Sequence, residues 1–239
     1  MVNVMTIRTF VGLIGNAISF GLFLSPGPTF YRIIKNKSVE EFKPDPYLLT
    51  TINCMVWVLY ATPFIHPGST LVLTTNGVGL VIELIYLCIF LLYAKDNNQK
   101  KYIGGLLVLE VAFVALVAGL VIGLESTTKK RTLIMGIICI IFNIGMYCAP
   151  LTIAKKVIQT KSVEYMPFWL SAFGTLNGAC WLVYGLLKFD INIVIPNGLG
   201  FLAGVAQLTL YACYYKKTPK GGADNKQPKS EVQLQGNIV

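Results

Sequence analysis

Apolar residues occur in long runs that are separated by short polar stretches. Seven of these runs are long enough to cross a hydrocarbon core of roughly 30 Å, which requires about 20 helical residues. The pattern predicts membrane-spanning helices near 9–31, 47–64, 71–93, 102–124, 133–154, 168–187 and 191–215. Backbone polar groups in lipid need partners within their own segment, and the alternating strands of a barrel are absent from the sequence. We therefore expect an all-α membrane protein.

The chain also contains an internal repeat. The run Lys37-Ser38-Val39-Glu40 recurs 124 residues later as Lys161-Ser162-Val163-Glu164. At the same offset, the recurring pairs are Pro26 and Pro150, Asn53 and Asn177, Trp57 and Trp181, and Tyr60 and Tyr184. Asn76-Gly77 recurs as Asn197-Gly198 at an offset of 121, so the second copy is three residues shorter there. Many membrane transporters are built from such repeats, with the substrate held between two related halves.

Each copy of the repeat covers three predicted spans, the first to third and the fifth to seventh. Because three is an odd number, joining the copies directly would invert the second one in the membrane. The fourth span has no counterpart in the repeat and restores the orientation. The sequence thus predicts two parallel three-helix bundles joined by a linker helix. The expected boundaries are a first repeat at 1–94, a linker at 95–128, a second repeat at 129–215 and a disordered cytoplasmic tail at 216–239.

The positive charge of the chain is distributed as in a membrane protein. A net charge of +9 alone could suggest a nucleic-acid partner, but 15 of the 20 lysines and arginines fall on one side of the predicted spans. The positive-inside rule then places the N-terminus outside and the C-terminus inside. The outer loop at Lys129, Lys130 and Arg131 is an exception that the sum outweighs. We expect membrane lipid and no nucleic acid among the partners.

The sequence lacks the marks of an enzyme. It has no phosphate-binding loop, no nucleophile paired with a base, and no cysteine or histidine spacing that would hold a metal. We therefore expect no catalysis, no cofactor and no metal. Glu83 and Glu110 are the acids well inside predicted spans, and such residues are functional candidates by default. Neither has an acidic partner in the other copy, so we interpret Glu83 as a buried structural hydrogen-bonding residue.

Several motifs resemble those of the SWEET sugar transporters, the larger relatives of the PQ-loop proteins. They are Leu24-Ser25-Pro26 through Lys37-Ser38, Asp45-Pro46-Tyr47, Thr75-Asn76-Gly77, Ala149-Pro150-Leu151, Ser162 to Phe168, and Ile195-Pro196-Asn197-Gly198. The resemblance covers roughly residues 9–215, and 42–47 and 195–200 are typical of the plant branch that favours hexoses. It implies a facilitative, bidirectional uniporter that moves monosaccharides such as glucose by alternating access. It also implies a homo-oligomer, and we expect residence in the plasma membrane.

The repeated amides are the first candidates for sugar binding. Asn76 and Asn197 enter their spans from the same side and lie at similar depth. A carboxamide offers donors and an acceptor, as sugar hydroxyls do. The alternative is an interhelical hydrogen bond that holds the bundle together. Duplication at matching depth and the resemblance to the family both favour sugar binding.

The repeated tryptophans are the second candidates. Trp57 and Trp181 lie too deep for the interfacial aromatic belt, which Trp169 fits well. Two indole rings could clamp the apolar faces of a pyranose, and core packing is the alternative interpretation. Asn53 and Asn177 lie one turn earlier on the same helix faces.

The resemblance assigns further roles around this site. Four prolines would act as hinges of an inner gate: Pro26, Pro46, Pro150 and Pro167. Pro46 and Pro167 could instead simply mark helix ends. Tyr60 and Asp190 match positions that close the outer gate, although Asp190 could equally be a solvated loop end. Leu22 and Met146 occupy equivalent faces and, with the two asparagines of the second and sixth spans, would form a wall that excludes disaccharides.

Two other function classes stay open from the residues alone. A seven-span receptor with its N-terminus outside is less favoured because of the three-span repeat and the short loops. A proton-coupled PQ-loop transporter of another small polar solute normally has glutamine after the proline, whereas Tyr47 follows Pro46 and Phe168 follows Pro167.

Overall fold

A computed structural model describes residues 3–164 and 166–218 of the protein, and all regular structure in these two ranges is helical. The helices are α1 (Val4–Leu24), α2 (Gly27–Asn36), α3 (Asp45–Tyr60), α4 (Thr70–Tyr93), α5 (Asn97–Leu124), α6 (Thr128–Gly145), α7 (Cys148–Thr160), α8 (Phe168–Leu187) and α9 (Ile191–Tyr214). A 3₁₀ turn over Tyr215–Lys217 follows α9. The predicted tail beyond Thr218 lies outside the described residues. The protein is an all-α membrane protein. If α1 with α2 and α6 with α7 are each counted as one broken rod, its helices form seven rods that correspond to the seven predicted spans.

Two of the predicted spans are each broken into two helices. The first rod changes from α1 to α2 at Ser25-Pro26, and the fifth changes from α6 to α7 at Met146-Tyr147. Proline lacks an N–H group, and its ring clashes with the carbonyl four residues earlier. The carbonyl opposed by Pro150 is that of Met146, which lies in the second break.

A second proline explains why the break in the first rod lies closer to the repeated proline. Pro28 stands in the first turn of α2, where a helix tolerates proline, and it opposes the carbonyl of Leu24, the last residue of α1. The second copy has Thr152 at this position. The difference of about one turn between the two breaks therefore follows from one residue.

The second rod is shorter than the sequence predicts. Helix α3 has 16 residues, which is about 24 Å of helix, and it ends at Tyr60 rather than near residue 64. Pro63 opposes the carbonyl of Leu59 and disfavours helical backbone at Thr62, so the chain turns there. The six other rods are long and apolar enough to cross a membrane.

The chain forms two compact units whose boundaries lie beside the two breaks. The central unit contains residues 23–143, and the C-terminal unit contains the residues up to 22 together with those from 144 onward. Each unit therefore includes the N-terminal helix of the other copy's first span, most of α6 in the central unit and most of α1 in the C-terminal unit. This grouping differs from the division by repeat at 1–94 and 129–215, which describes the sequence duplication and stays a prediction.

The central unit has an aromatic core where α2, α3 and α4 meet. The rings of Phe30 and Tyr86 stack with their centroids 4.0 Å apart at an angle of 11°. Tyr47 and Phe90 pack around this pair, with Tyr47 5.6 Å from Tyr86 and 5.5 Å from Phe90. Such ring pairs add about 0.5–1.5 kcal/mol each to the burial of their area.

The C-terminal unit has its main contact between α8 and α9, which approach closely at glycines. A Cβ on Gly178 would lie 3.0 Å from the backbone nitrogen of Phe201, and one on Gly204 would meet the side chain of Thr175. A smaller aliphatic core of Val157, Val163 and Met166 packs against the ends of α7 and α9.

The repeated Lys-Ser-Val-Glu runs adopt matching structures in the two units. Lys37 and Lys161 have left-handed backbone, with φ of 49° and 52°, and each ends the helix before it. In both copies the serine hydroxyl accepts a hydrogen bond from the backbone N–H of the glutamate, at 3.3 Å. Arg32 and Asn36 also bond the Glu40 carboxylate, and the Arg32 bond in particular lowers the pKa of that carboxyl.

Specific bonds hold the basic segment at Arg131, for which the charge count predicts an outer position. Arg131 donates to the carbonyls of Ile122, Glu125 and Phe64 at 3.0, 2.7 and 3.3 Å. The carbonyl of Ile122 is in the last turn of α5 and has no partner within its helix. The guanidinium therefore caps α5, which gives this exception to the charge distribution a structural role.

Candidate functional site

The repeated amides occupy the same place in their helices. Asn76 is the seventh residue of α4 and Asn197 the seventh of α9, so each lies about 9 Å along the helix from its first residue. Each side chain donates one N–H to the carbonyl four residues earlier, Val72 at 2.9 Å and Ile193 at 2.8 Å. Both side chains are half-buried, and neither makes another hydrogen bond within the described part of the chain. One N–H and the amide oxygen of each residue are thus available to a ligand.

Aromatic residues beside the two breaks pack against glycines that lie three residues after these amides. In the central unit the ring of Phe23 lies against Gly79, where any Cβ would collide with it. In the C-terminal unit the ring of Tyr147 lies against Gly200, and its hydroxyl donates to the carbonyl of Pro196 at 2.5 Å. These contacts were not predicted from the sequence, although Gly79 and Gly200 recur at the same offset of 121 as the amides.

The repeated tryptophans are buried and have matching neighbours. Trp57 is 5% and Trp181 is 7% exposed, whereas Trp169 is 69% exposed, as a position at the lipid interface predicts. Trp57 meets Tyr60 edge to face at 5.4 Å and 77°, and Trp181 meets Tyr184 at 5.2 Å and 70°. The same edge-to-face pair therefore occurs in each unit.

The asparagines one turn earlier have different surroundings in the two units. Asn177 accepts a hydrogen bond from Ser19 of α1 at 2.7 Å. The amide oxygen of Asn53 is buried and has no hydrogen-bond partner among the residues described. A buried acceptor without a partner is costly, so this oxygen is suited to a donor supplied by a ligand.

The predicted hinge prolines and two of the predicted wall residues, Leu22 and Met146, lie at or near helix ends. Pro26 is the N-cap of α2, Pro150 lies in the first turn of α7, Pro46 in the first turn of α3, and Pro167 directly precedes α8. Leu22 is in the last turn of α1, and Met146 lies in the break between α6 and α7. All six side chains are at least partly buried.

The two predicted outer-gate residues lie at the ends of helices in separate units. Tyr60 ends α3, is fully buried and stacks on His66 with ring centroids 4.7 Å apart. Asp190 is buried and caps α9 by accepting a hydrogen bond from the backbone N–H of Asn192 at 3.1 Å. Asp190 is thus a helix cap rather than a solvated loop end. His66, the one histidine of the chain, was not singled out from the sequence.

The interpretation of Glu83 as a hydrogen-bonding residue is wrong for at least one of its oxygens. The side chain is 4% exposed, and its Oε2 has no hydrogen-bond partner among the described residues. In the other copy the equivalent position is Gly204, where α9 closes onto α8 at Thr175. Glu83 therefore fills space in the central unit that the C-terminal unit closes by helix approach. No group of three potential metal ligands occurs in the part of the chain that the structure describes.

Known proteins match the chain over most of its length. A family model described as a sugar efflux transporter for intercellular exchange matches residues 9–98 and 133–219. The bidirectional sugar transporter SWEET7 of Arabidopsis thaliana is 51% identical over 233 residues, which are 98% of this chain and 90% of that protein. SWEET7b of Oryza sativa subsp. indica is 56% identical over 221 residues, which are 92% of this chain and 82% of that protein.

A solved structure agrees with the fold. The structure titled as a eukaryotic SWEET transporter at 3.7 Å resolution superposes with a TM-score of 0.84 at 40% sequence identity, and the match covers 87% of this chain and 97% of that one. The resemblance that the repeated motifs indicate is confirmed, and the chain belongs to the SWEET family of membrane proteins.

Proposed function

We propose that this protein is a bidirectional, facilitative sugar transporter that moves monosaccharides such as glucose. The main support is the duplicated amide pair, since Asn76 and Asn197 lie at the same depth and keep the same hydrogen-bonding groups available. Relatives at 50–56% identity that carry the name of bidirectional sugar transporters support the same conclusion.

Each candidate residue has a chemical role in this proposal. The amides of Asn76 and Asn197 exchange hydrogen bonds with sugar hydroxyls, because both partners donate and accept. Trp57 and Trp181 offer ring surfaces for the apolar C–H faces of the sugar. Asn53 offers an acceptor, since its buried oxygen lacks a partner among the described residues.

Leu22 and Met146, together with Asn53 and Asn177, restrict the size of the substrate in our proposal. They are partly buried residues beside the breaks and beside the tryptophans. Closely packed interiors relieve steric overlap poorly, so a bulky wall favours a monosaccharide over a disaccharide.

Alternating access supplies the transport step in this proposal. Proline kinks separate α1 from α2 and α6 from α7, and a hinge requires just such points of interrupted helix. We assign the hinges of the inner gate to Pro26 and Pro150 at these two breaks, together with Pro46 in the first turn of α3 and Pro167 directly before α8. Tyr60 is the last residue of α3 and Asp190 is the N-cap of α9. Both residues are buried, and in this proposal they close the outer gate.

The membrane arrangement in this proposal follows the charge distribution. The ends that hold most of the lysines and arginines face the cytoplasm, so the N-terminus is outside the cell and the C-terminus inside. The plasma membrane is the site of action, and the working form is a homo-oligomer.

The purified protein in liposomes tests the transport function. We expect labelled glucose to enter, to leave when the gradient is reversed, and to enter faster when unlabelled glucose is present inside. Such acceleration by substrate on the far side is a property of a carrier and not of a receptor. Liposomes that take up glucose no faster than protein-free liposomes would exclude the function.

A further inference from the structure

One face of α1 carries a row of buried small and polar residues. They are spaced at intervals of four, three and four residues, which places them on one side of a helix. The row consists of Arg8, Gly12, Gly15 and Ser19. Most of the large apolar residues of α1 are exposed instead, as they would be in lipid. The row lies against α8 within the C-terminal unit.

The contacts of this row are with three residues of α8 that follow the same helical spacing. Ser19 bonds both Asn177 and Trp181. A Cβ on Gly15 would lie 3.1 Å from the Trp181 indole, so glycine leaves the room that this ring occupies. Arg8 donates from Nε to the carbonyl of Tyr184 at 3.3 Å and stacks on its ring at 3.8 Å.

The two bonds of Ser19 determine which way the Asn177 amide is turned. The indole N–H of Trp181 is a donor only, so at 3.2 Å the Ser19 oxygen must accept from it. The structure places the amide oxygen of Asn177 2.7 Å from the Ser19 hydroxyl, which donates its proton to that oxygen. The NH₂ group of Asn177 therefore faces away from Ser19.

The NH₂ group of Asn177 has no hydrogen-bond acceptor in the described part of the chain. The equivalent residues of the central unit differ: among the described residues, the buried oxygen of Asn53 has no hydrogen-bond partner, and no serine bonds Asn53 or the indole of Trp57. The counterpart of Ser19 in the repeat is Asn143. The two copies thus present different groups at equivalent positions, a donor pair at Asn177 and an acceptor at Asn53.

We propose that Ser19 is a positioning residue that sets the hydrogen-bonding polarity of the sugar site, by fixing Asn177 as a donor and holding the Trp181 ring in place. This inference rests on the proposed function, since it assigns a ligand to the two residues that Ser19 holds. It predicts that the NH₂ group of Asn177 donates a hydrogen bond to a sugar oxygen. It also predicts that Ser19 contributes to specificity without contacting the sugar.

Sugar analogues distinguish a hydrogen bond that the protein donates to a sugar oxygen from one that it accepts from a sugar hydroxyl. A deoxyfluoro sugar retains a weak acceptor and loses the donor, whereas the deoxy sugar loses both. At the ring position that Asn177 recognises, we expect the parent protein to take up the fluoro analogue about fivefold better than the deoxy analogue, the size of one ordinary hydrogen bond. A panel with substitutions at carbons 2, 3, 4 and 6 of glucose would locate this position.

Replacement of Ser19 tests its role in this discrimination. In Ser19→Ala the amide can turn over, so the ratio between the two analogues should fall to about one at that position, while the KM for glucose rises about fivefold. Ser19→Thr keeps the hydroxyl and should keep the parental ratio. The matched control is Ser171→Ala, because Ser171 is a buried serine of α8 that makes no side-chain hydrogen bond within the described residues. If Ser19→Ala does not reach the membrane, Ser19→Cys weakens both bonds and should show the same loss.

Fluorescence tests the Ser19–Trp181 bond independently of transport. The chain has three tryptophans, so Trp57→Phe with Trp169→Phe leaves Trp181 as the one indole emitter. Adding Ser19→Ala should shift its emission to shorter wavelength, because the indole loses its polar partner. Unchanged emission would refute the bond, and parental analogue ratios in Ser19→Ala would refute the role in specificity. A parent protein that moves no sugar would instead refute the proposed function, whatever the emission shows.

Discussion

At the scale of single residues, the two copies of the repeat supply different partners to equivalent side chains: Ser19 bonds Asn177, whereas the buried oxygen of Asn53 has no partner among the described residues. The equivalent helix positions of Asn76 and Asn197 and the burial of Trp57 and Trp181 followed from counting positions within apolar runs. The difference between Asn53 and Asn177 could not be predicted, because it depends on Ser19, which has no serine counterpart in the other copy. A repeat identifies equivalent residues but gives no information on the partners that each copy supplies.

Replacing either repeated amide should remove sugar uptake. We expect Asn76→Ala and Asn197→Ala each to reduce glucose uptake at least about tenfold, because each removes the remaining N–H and the oxygen that face a ligand. The measurement is the initial rate in liposomes at equal protein content. The control is Asn98→Ala, an exposed amide in the first turn of α5. Near-parental rates in a folded Asn76 or Asn197 variant would show that the residue serves helix packing and not sugar binding.

The size of the wall residues should decide between monosaccharide and disaccharide. We expect the unmodified protein to transport glucose and to reject sucrose. The combined change of Leu22→Val, Met146→Val, Asn53→Ser and Asn177→Ser should shift the preference towards sucrose, since it removes volume from partly buried positions. Uptake of both sugars is measured in the same vesicles. Efficient sucrose transport by the unmodified protein would contradict the size argument.

At the scale of helices, the sequence predicted where the rods are but not how two of them break. Apolar length alone places seven spans, and prolines indicated kinks near Pro26 and Pro150. The exact breaks depend on which proline opposes which carbonyl, and Pro28 decides this in the first rod. The contacts of Phe23 with Gly79 and of Tyr147 with Gly200 were not predicted, because a single glycine in an apolar helix carries no sign of what lies against it.

These aromatic–glycine contacts predict a sharp difference between neighbouring glycines of α4. In Gly77→Ala the new methyl group meets nothing within 4 Å, so the variant should be as stable as the parent or more stable, by up to about 1 kcal/mol. In Gly79→Ala the methyl group collides with the Phe23 ring, and the variant should lose about 1–3 kcal/mol of stability. Thermal unfolding in one detergent compares the two. Equal melting temperatures would show that Phe23 does not rest on Gly79.

At the scale of the whole molecule, composition and charge predicted a multi-pass membrane protein, and the resemblance of its motifs predicted its family. The grouping into compact units was beyond the sequence, because α1 and α6 are attached to their units by tertiary contacts rather than by chain order. Asn177, Trp181 and Tyr184 of α8 hold α1, whereas Thr132 and Cys139 of α6 bond the carbonyls of Ile65 and Val56. Periodicity alone does not reveal such pairings.

The orientation in the membrane has a direct chemical test. Asn36-Lys37-Ser38 is the one glycosylation sequon of the chain, and the charge distribution places it in the cytoplasm. We expect no glycan on the protein when it is made in a eukaryotic host. The measurement is electrophoretic mobility with and without glycosidase, with Asn36→Gln as the control. A glycosidase-sensitive shift that Asn36→Gln abolishes would reverse the proposed orientation.

The energetics of transport should be those of a uniporter, even though Glu83 is a buried acid without a partner for Oε2 among the described residues. Proton coupling requires a titratable group whose proton moves with the substrate, and the candidate sugar-binding residues are amides, indoles and apolar side chains. Glu83 has glycine as its counterpart in the other copy and lies among Tyr47, Cys54 and Tyr86, two helical turns from Asn76.

In liposomes with an imposed inward proton gradient, we therefore expect internal glucose to reach the external concentration and to rise no further. A protonophore should leave the rate unchanged, and Glu83→Gln, the neutral isostere, should behave like the parent across pH. Accumulation above equilibrium that Glu83→Gln abolishes would establish proton coupling and make Glu83 the coupling residue.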